Sequence, residues 1–478
     1  MTTSAGAPLR LPYAFARQQH ILVLAGDDER TAVLIDETTP LAAIAEVQRL
    51  AGPIALTRTE PADLLHRLEA HYAWQKSDAA AAVDALGQDV DLARLMEQAS
   101  VSADLLAGED DAPIIRTINA LLTQAVRDGA SDIHIEPFEA ASVVRMRIDG
   151  VLRDIAHPHP GLHAALISRI KIMASLDIAE KRLPQDGRIA LRIGAKAIDV
   201  RVSTLPVSRG ERAVMRLLDK DRGRLRLDAL GMAPGSEAAF GRLLRQPHGI
   251  VLVTGPTGSG KTTTLYAALS AMPRDELNIM TVEDPIEYEL AGISQTQAHS
   301  RIGMDFARAL RAILRQDPDV VMIGEIRDQE TAQIAVQGSL TGHLVLATLH
   351  TNDAPSAVTR LIDMGIEPFL LASSLTGVLA QRLVRKLCAH CRRQDADGRW
   401  HAVGCGKCSD TGYAGRTGIY ELLTLTPHLA ACIHAGAAES ELRRIALEDG
   451  MVTMNADATR WIESGVTTAE EVARATRD

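Results

Sequence analysis

Ile250-Val251-Leu252-Val253-Thr254-Gly255-Pro256-Thr257-Gly258-Ser259-Gly260-Lys261-Thr262 is an apolar strand running straight into the full pattern G-x-x-x-x-G-K-[ST]. The order of residues carries the chemistry. Glycines let backbone N–H groups close around phosphate oxygens. The helix expected over Thr263 to Ala271, with Leu265 and Leu269 on one face, turns the positive end of its dipole toward the same anion. Gly255, Pro256, Thr257, Gly258, Ser259, Gly260, Lys261, Thr262 and Thr263 are therefore the candidate phosphate-binding residues. Lys261 is placed to reach the β- and γ-phosphates of ATP and Thr262 to bind Mg²⁺.

Working outward, three more apolar runs end in polar groups. Asp317-Pro318-Asp319-Val320-Val321-Met322-Ile323-Gly324-Glu325 reads as a strand with acids at its ends and Asp328 just beyond. A carboxylate at such a strand's C-terminal end holds Mg²⁺, here Glu325. Ile279-Met280-Thr281-Val282-Glu283-Asp284-Pro285-Ile286-Glu287 is a second such strand. Hydrolysis needs a carboxylate to orient or deprotonate water. Glu283 is the first choice and Glu325 its competitor; the sequence leaves the assignment open. Gly342 to Asn352 is a third strand with His343 and His350 near its ends. His350, at the C-terminal end where ligands bind in open α/β sheets, is the candidate γ-phosphate sensor.

At 478 residues the chain is too long for one core. The composition, 46% hydrophobic and 23% charged, is that of a folded protein, and only 3% aromatic, so aliphatic side chains must fill its cores. Residues 1–76 read as a small α/β unit, with strands at Ile21–Leu24 and Ala32–Ile35 and a helix from Glu60 to Ala73 carrying Leu64, Leu65 and Leu68 on one face. Residues 77–112 hold nine acids against one base, Arg94, and so carry eight of the ten net negative charges; they read as a solvated linker, with a short helix around Leu92 to Met96. Residues 113–222 form a second α+β unit. It opens with a helix bearing Ile114, Ile118, Leu121, Leu122 and Ala125, and has hairpin turns expected at Asp149-Gly150 and Asp186-Gly187. Residues 223–384 alternate strands and helices, the pattern of a parallel sheet. Residues 385–420 are Cys- and Gly-rich, and 421–478 read as helical, with Leu442, Ile445 and Leu447 as apolar positions.

Cys388-x2-Cys391 and Cys405-x2-Cys408 stand thirteen residues apart. Two such knuckles deliver four thiolates tetrahedrally, as structural Zn²⁺ prefers, and leave no open position for catalysis. The longest apolar candidate, Pro368 to Ala380, is too short to cross a bilayer, and the N-terminus has no secretory pattern. A cytoplasmic protein that meets a membrane only through partners is expected. The acidic balance argues against nucleic acid as a partner.

Residues 255–262, 279–287, 319–325 and 342–352 together resemble the Walker A loop, "Asp box", Walker B strand and "His box" of the secretion ATPase superfamily. Ala130-Ser131-Asp132-Ile133-His134-Ile135-Glu136-Pro137 and Arg201-Val202-Ser203-Thr204-Leu205-Pro206 resemble that family's second N-terminal domain. The tetracysteine insertion is similar to that of the type II secretion and pilus-assembly branches and is missing from the pilus-retraction branch. The opening Leu11 to Arg17 and the short N-terminal region are similar to the type II secretion ATPases of Gram-negative bacteria, the general secretory pathway protein E family.

That resemblance implies a RecA-like P-loop motor domain, a preceding PAS-like domain, a small N-terminal domain and a zinc insertion. It implies a homohexamer that hydrolyses ATP and docks through residues 1–76 on the cytoplasmic domain of a bitopic inner-membrane protein, beside a polytopic platform protein. Carried over by motif, Arg201, Arg216, Arg311, Arg315 and Arg416 resemble nucleotide-contacting or finger arginines, planar cations suited to charge on transferring phosphates. The alternatives are a pilus-assembly ATPase and, in another class, a nucleic-acid-translocating ATPase with the tetracysteine unit as a finger.

Overall fold

The computed structural model describes residues 11, 15–16, 19–27, 30–61, 63–64, 67–68, 113–139, 141–193, 196–219, 226–299 and 302–477. The chain divides into two compact units, residues 1–220 and 221–478. The expected helix around Leu92 to Met96, Leu65, and the end of the Glu60–Ala73 helix lie outside the described residues.

The first unit begins with a three-stranded sheet of β1 (Ile21–Asp27), β2 (Arg30–Ile35) and β3 (Ile54–Arg58). β1 and β2 are antiparallel, and the helix Leu41–Ala51 carries the chain to β3, which lies parallel to β2. Leu64 and Leu68 are fully buried with Ile21, Val33 and Val47, as the helical spacing requires.

A six-stranded antiparallel sheet follows, built from β4 (Ala130–Pro137), β5 (Ser142–Ile148), β6 (Val151–Ala156), β7 (Gln185–Ile193), β8 (Lys196–Val207) and β9 (Gly210–Asp219), in the order β6-β5-β4-β9-β8-β7. Alternation along the strands separates its faces. Ile133, Ile135, Val144, Met146, Val200, Val202 and Met215 pack with the helices Pro113–Arg127 and Pro160–Met173; Ile114, Ile118, Leu121, Leu122 and Ala125 face that core. Asp132, His134 and Glu136, alternate residues of β4, are buried in an ionic network.

Asp149-Gly150 makes the expected turn between β5 and β6, with both residues at positive φ. Asp186-Gly187 does not. Both lie inside β7, paired to Ser203 and Val202. A Cβ on Gly187 would stand 2.5 Å from the carbonyl of Ala174, so this glycine serves a close backbone approach rather than a turn.

The second unit is a seven-stranded sheet. Its strands are β10 (Gly249–Thr254), β11 (Ile279–Glu283), β12 (Ser294–Gln297), β13 (Val320–Ile323), β14 (Leu344–Leu349), β15 (Leu375–Leu387) and, beyond the two-residue strands β16 (Arg393–Gln394) and β17 (Trp400–His401), β18 (Tyr413–Thr424). The order is β12-β11-β13-β14-β10-β15-β18, parallel throughout except for the antiparallel β15–β18 edge. Every residue of β10, β13 and β14 is buried, because helices cover both faces.

The apolar run Pro368 to Ala380 is divided between a helix, Pro368–Ser374, and the start of β15. No helix among the described residues is long and apolar enough to cross a membrane. Beyond β18 the chain is helical to Thr476; Leu442 and Ile445 face the core, whereas Leu447 is exposed.

Candidate active site

The parallel order brings the ends of four separate segments to one edge. β11, β13, β14 and β10 are successive neighbours, and their C-termini lead into Glu283, Gly324-Glu325, His350 and Gly255. Crosslinks fix this edge. Gly324 N–H donates to the Val282 carbonyl at 2.8 Å, Thr348 Oγ1 to the Gly324 carbonyl at 2.6 Å, and Thr351 N–H to Thr254 Oγ1 at 2.9 Å. His343 lies at the opposite end of β14, where its ring meets the Gly338 carbonyl, so only one of the two histidines faces the site edge.

The phosphate loop joins β10 to the helix Lys261–Ser270. Gly255, Gly258 and Gly260 all have positive φ, a region open to glycine at no steric cost. A Cβ on Gly258 would enter open space, whereas one on Gly255 would strike the Gln381 carbonyl at 2.5 Å. Thr262 is exposed at the helix start and Thr263 half-buried. Lys261 Nζ donates to the carbonyls of Gly255 at 2.7 Å and Pro256 at 3.2 Å, folding the side chain back over its own loop.

A polar chain leads away from that ammonium. Nζ lies 3.4 Å from His350 Nδ1, His350 Nε2 lies 3.1 Å from Glu325 Oε1, and Arg327 Nε donates to Glu325 Oε2 at 2.8 Å. Burial, with the Arg382 charge adding to it and Glu325 opposing, pulls the Lys261 pKa down to about 8. Burial, then the Lys261 charge, holds His350 below its ordinary value, with Glu325 again opposing. A neutral His350 with its proton on Nε2 satisfies both neighbours.

Glu283 is set differently. Its carboxylate is buried and accepts from Thr281 Oγ1 at 2.6 Å, from Gln295 Nε2 at 3.0 Å and from the Tyr266 hydroxyl. Burial, then the Glu283 charge, pushes the Tyr266 phenol well above its usual range, so it remains a donor. Three donors fix the carboxylate in one pose.

The arginines fall into three places. Arg201 and Arg216 pair across β8 and β9, and Arg216 Nε donates to Asp132 Oδ1 at 2.9 Å. Arg311, on the helix Phe306–Ile313, is ion-paired with Glu330, and Arg315 donates to the Arg311 carbonyl at 2.8 Å. Arg416 is exposed on β18 opposite Arg385. Asp328 caps the helix Gln329–Leu340 through Thr331 N–H, a structural duty.

The four cysteines converge between β15 and β18. Their sulfurs all lie within 4.8 Å of one another, with Cys388–Cys405 at 3.9 Å and Cys391–Cys408 and Cys405–Cys408 at 3.8 Å. A tetrahedron of zinc–sulfur bonds of about 2.3 Å has edges of about 3.8 Å. A disulfide would need about 2.05 Å, and all four thiols are free. The donor set fits Zn²⁺.

Several site residues carry no sequence signature: Tyr266 and Gln295 around Glu283, Gln381 beside the loop, and buried Arg382, whose Nη2 donates to Asn352 Oδ1 at 3.1 Å. Only their place beside a motif in the folded sheet gives them away.

The C-terminal edge of an open parallel sheet is where such folds bind ligands, and a phosphate loop there, backed by strand-end carboxylates, defines a P-loop ATPase. The comparisons narrow that class. Residues 107–474 match the family model described as type II/IV secretion system protein, and residues 10–72 match the model of an N-terminal domain of GSPII protein E. The chain is 62% identical to the type II secretion system protein HxcR of Pseudomonas aeruginosa, covering 98% of this chain and 99% of that one. It is 50% identical to the type II secretion system ATPase E of Vibrio cholerae, covering 98% and 97%. Among solved structures it is similar to the ADP-bound pilus retraction motor PilT, with a TM-score of 0.53 and 27% identity over 75% of this chain and 96% of that one. The Legionella pneumophila ATPase DotB shares the fold, with a TM-score of 0.58 at 21% identity over 75% of this chain and 94% of that one. The chain belongs to the type II secretion system protein E family, and it is an ATPase of protein secretion.

Proposed function

We propose that this ATPase is a hexameric motor that couples Mg²⁺-dependent ATP hydrolysis to pseudopilus assembly, acting on an inner-membrane platform through partner proteins. The observation that supports it is the meeting of the phosphate loop, Glu283, Glu325 and His350 at one sheet edge. Residues 255–263 cradle the phosphates and Lys261 swings from its own loop carbonyls onto the β- and γ-phosphates. Thr262 and Glu325 hold Mg²⁺, which when bound neutralises phosphate charge. Glu283, immobilised by three donors, orients the attacking water and accepts its proton. Glu325, tied to His350 and Arg327, is the competing base. His350 reports the γ-phosphate to Glu325 through its two ring nitrogens.

Arg201 and Arg216 from the second N-terminal domain (113–222), with Arg311, Arg315 and Arg416, supply cations to the nucleotide, some from a neighbouring subunit. Residues 1–76 dock on the cytoplasmic domain of a bitopic membrane protein, 77–112 link, 223–384 form the motor, 385–420 hold structural Zn²⁺, and 421–478 are a C-terminal helical region. The protein works in the cytoplasm and reaches the inner membrane through those partners, with no nucleic acid involved.

The deciding experiment is steady-state phosphate release by the full chain and by Lys261→Ala and Glu283→Gln, with the membrane partner's cytoplasmic domain present. Loss of turnover in both supports the assignment; unchanged turnover in either removes that residue's role.

A further inference from the structure

β15 is the immediate neighbour of the strand that feeds the phosphate loop. Thr254 pairs with Ala380, so Gln381 is the first β15 residue beyond that register. Its side chain is buried to 1% exposure. Nε2 donates to the Ser259 carbonyl at 2.7 Å, and Oε1 accepts from Thr264 Oγ1 at 2.8 Å. Its backbone carbonyl closes the space beside Gly255, and its amide nitrogen lies 3.2 Å from where a Cβ on Gly260 would stand. One residue thus touches the loop at its start, its middle and its junction with the helix.

A loop with three glycines at positive φ has a large choice of conformations when nothing holds it. Ligand affinity falls in proportion to the fraction of molecules in the binding-competent conformation. A primary amide suits the task, since its single donor group is engaged on the loop at Ser259 and its single acceptor group on the following helix at Thr264.

We propose that Gln381 is the positioning residue that holds the phosphate loop in its nucleotide-accepting shape, acting through Ser259 and Thr264 without touching the nucleotide. The inference rests on the phosphate-loop reading above, which the Lys261→Ala variant tests separately. Gln381 lies 122 and 117 positions from its two partners, so the loop motif says nothing of it. Gln381→Glu is the discriminating change: it keeps the acceptor for Thr264, loses the donor, and sets a carboxylate against the Ser259 carbonyl.

The experiment is full-chain steady-state hydrolysis against Mg-ATP concentration, with fluorescent-ADP binding and thermal unfolding on the same preparations. Gln381→Glu and Thr264→Val should each raise KM for Mg-ATP and the ADP dissociation constant about tenfold, the size of one lost buried hydrogen bond, and Gln381→Ala, which loses both bonds, by at least as much. In each, kcat should stay within about twofold of wild type. Thr264→Ser, which keeps the hydroxyl, should restore wild-type values. A lowered melting temperature with KM unchanged would reduce Gln381 to a packing residue and overturn the proposal, as would unchanged KM in well-folded variants. Should the Gln381 variants fail to fold, the Thr264→Val and Thr264→Ser pair decides the matter alone.

Discussion

His350 Nε2 stands 3.1 Å from Glu325 Oε1, while the same imidazole's Nδ1 faces Lys261 Nζ at 3.4 Å. One neutral ring thereby joins the cation proposed for the phosphates to the carboxylate proposed for the metal. Removing it should uncouple the two. His350→Ala is expected to lower kcat by about 100-fold, the lower end of the range for a lost positioned donor, with a smaller change in KM. Steady-state hydrolysis checks this, and a change in KM with kcat intact would contradict it.

Lys261 has a pKa of about 8 in the fold against 10.5 when unperturbed. Between those values the unfolded chain binds more protons than the folded one, so stability without nucleotide should rise with pH through that window and level off above it. Other shifted groups titrate in the same range, so in Lys261→Met the slope should not vanish but should fall below the wild-type slope by the contribution of one proton, as read from unfolding at fixed temperature. Phosphate oxygens beside Nζ would favour its charged form and raise the value again, so nucleotide binding above pH 8 should take up a proton. Calorimetry in buffers of different ionisation enthalpy measures that uptake directly.

Glu283 and Glu325 separate by surroundings. Glu283→Gln should cut turnover by at least about 100-fold while leaving nucleotide affinity within a few-fold, as expected for a lost base. Tyr266→Phe, which removes one of its three donors, should give a smaller loss of about tenfold, the size of one hydrogen bond. If Glu325→Gln instead gives the larger loss with binding intact, the base assignment moves to Glu325.

The cysteine site is tied to the C-terminal segment. Leu387 N–H donates to the Val466 carbonyl at 2.7 Å, Arg392 Nη1 to the Gly465 carbonyl at 2.6 Å, and the Arg392 guanidinium lies 4.9 Å over the Trp400 ring. The full chain should contain about one zinc per subunit by elemental analysis. Cys391→Ser with Cys408→Ser should abolish it and lower the melting temperature. Hydrogen exchange should quicken first in residues 461–472, next to the cluster.

Much of this architecture was readable because its signals are local. Ile250–Val253 is uniformly apolar since β10 is covered on both faces, and the loop motif follows it without a gap. The cysteine spacing likewise announced its own geometry. What could not be read depends on contacts across the chain. Tyr266, Gln295 and Gln381 acquire their duties only when distant strands become neighbours. Asp186-Gly187 looks like a turn, because sequence does not distinguish a glycine needed for φ from one needed for space beside Ala174. β18 runs from the cysteine-rich segment into the helical one, and its antiparallel pairing with β15 has no short-range signature.

In the proposed mechanism a triphosphate is held at the sheet edge by Lys261 and its loop. The most direct test is phosphate release from Mg-ATP by the purified full chain beside Lys261→Ala, both with the membrane partner's cytoplasmic domain. Wild type should turn over, and the variant should be slower by at least about 100-fold. Equal rates in the two proteins, or no ATP binding by either, would contradict it.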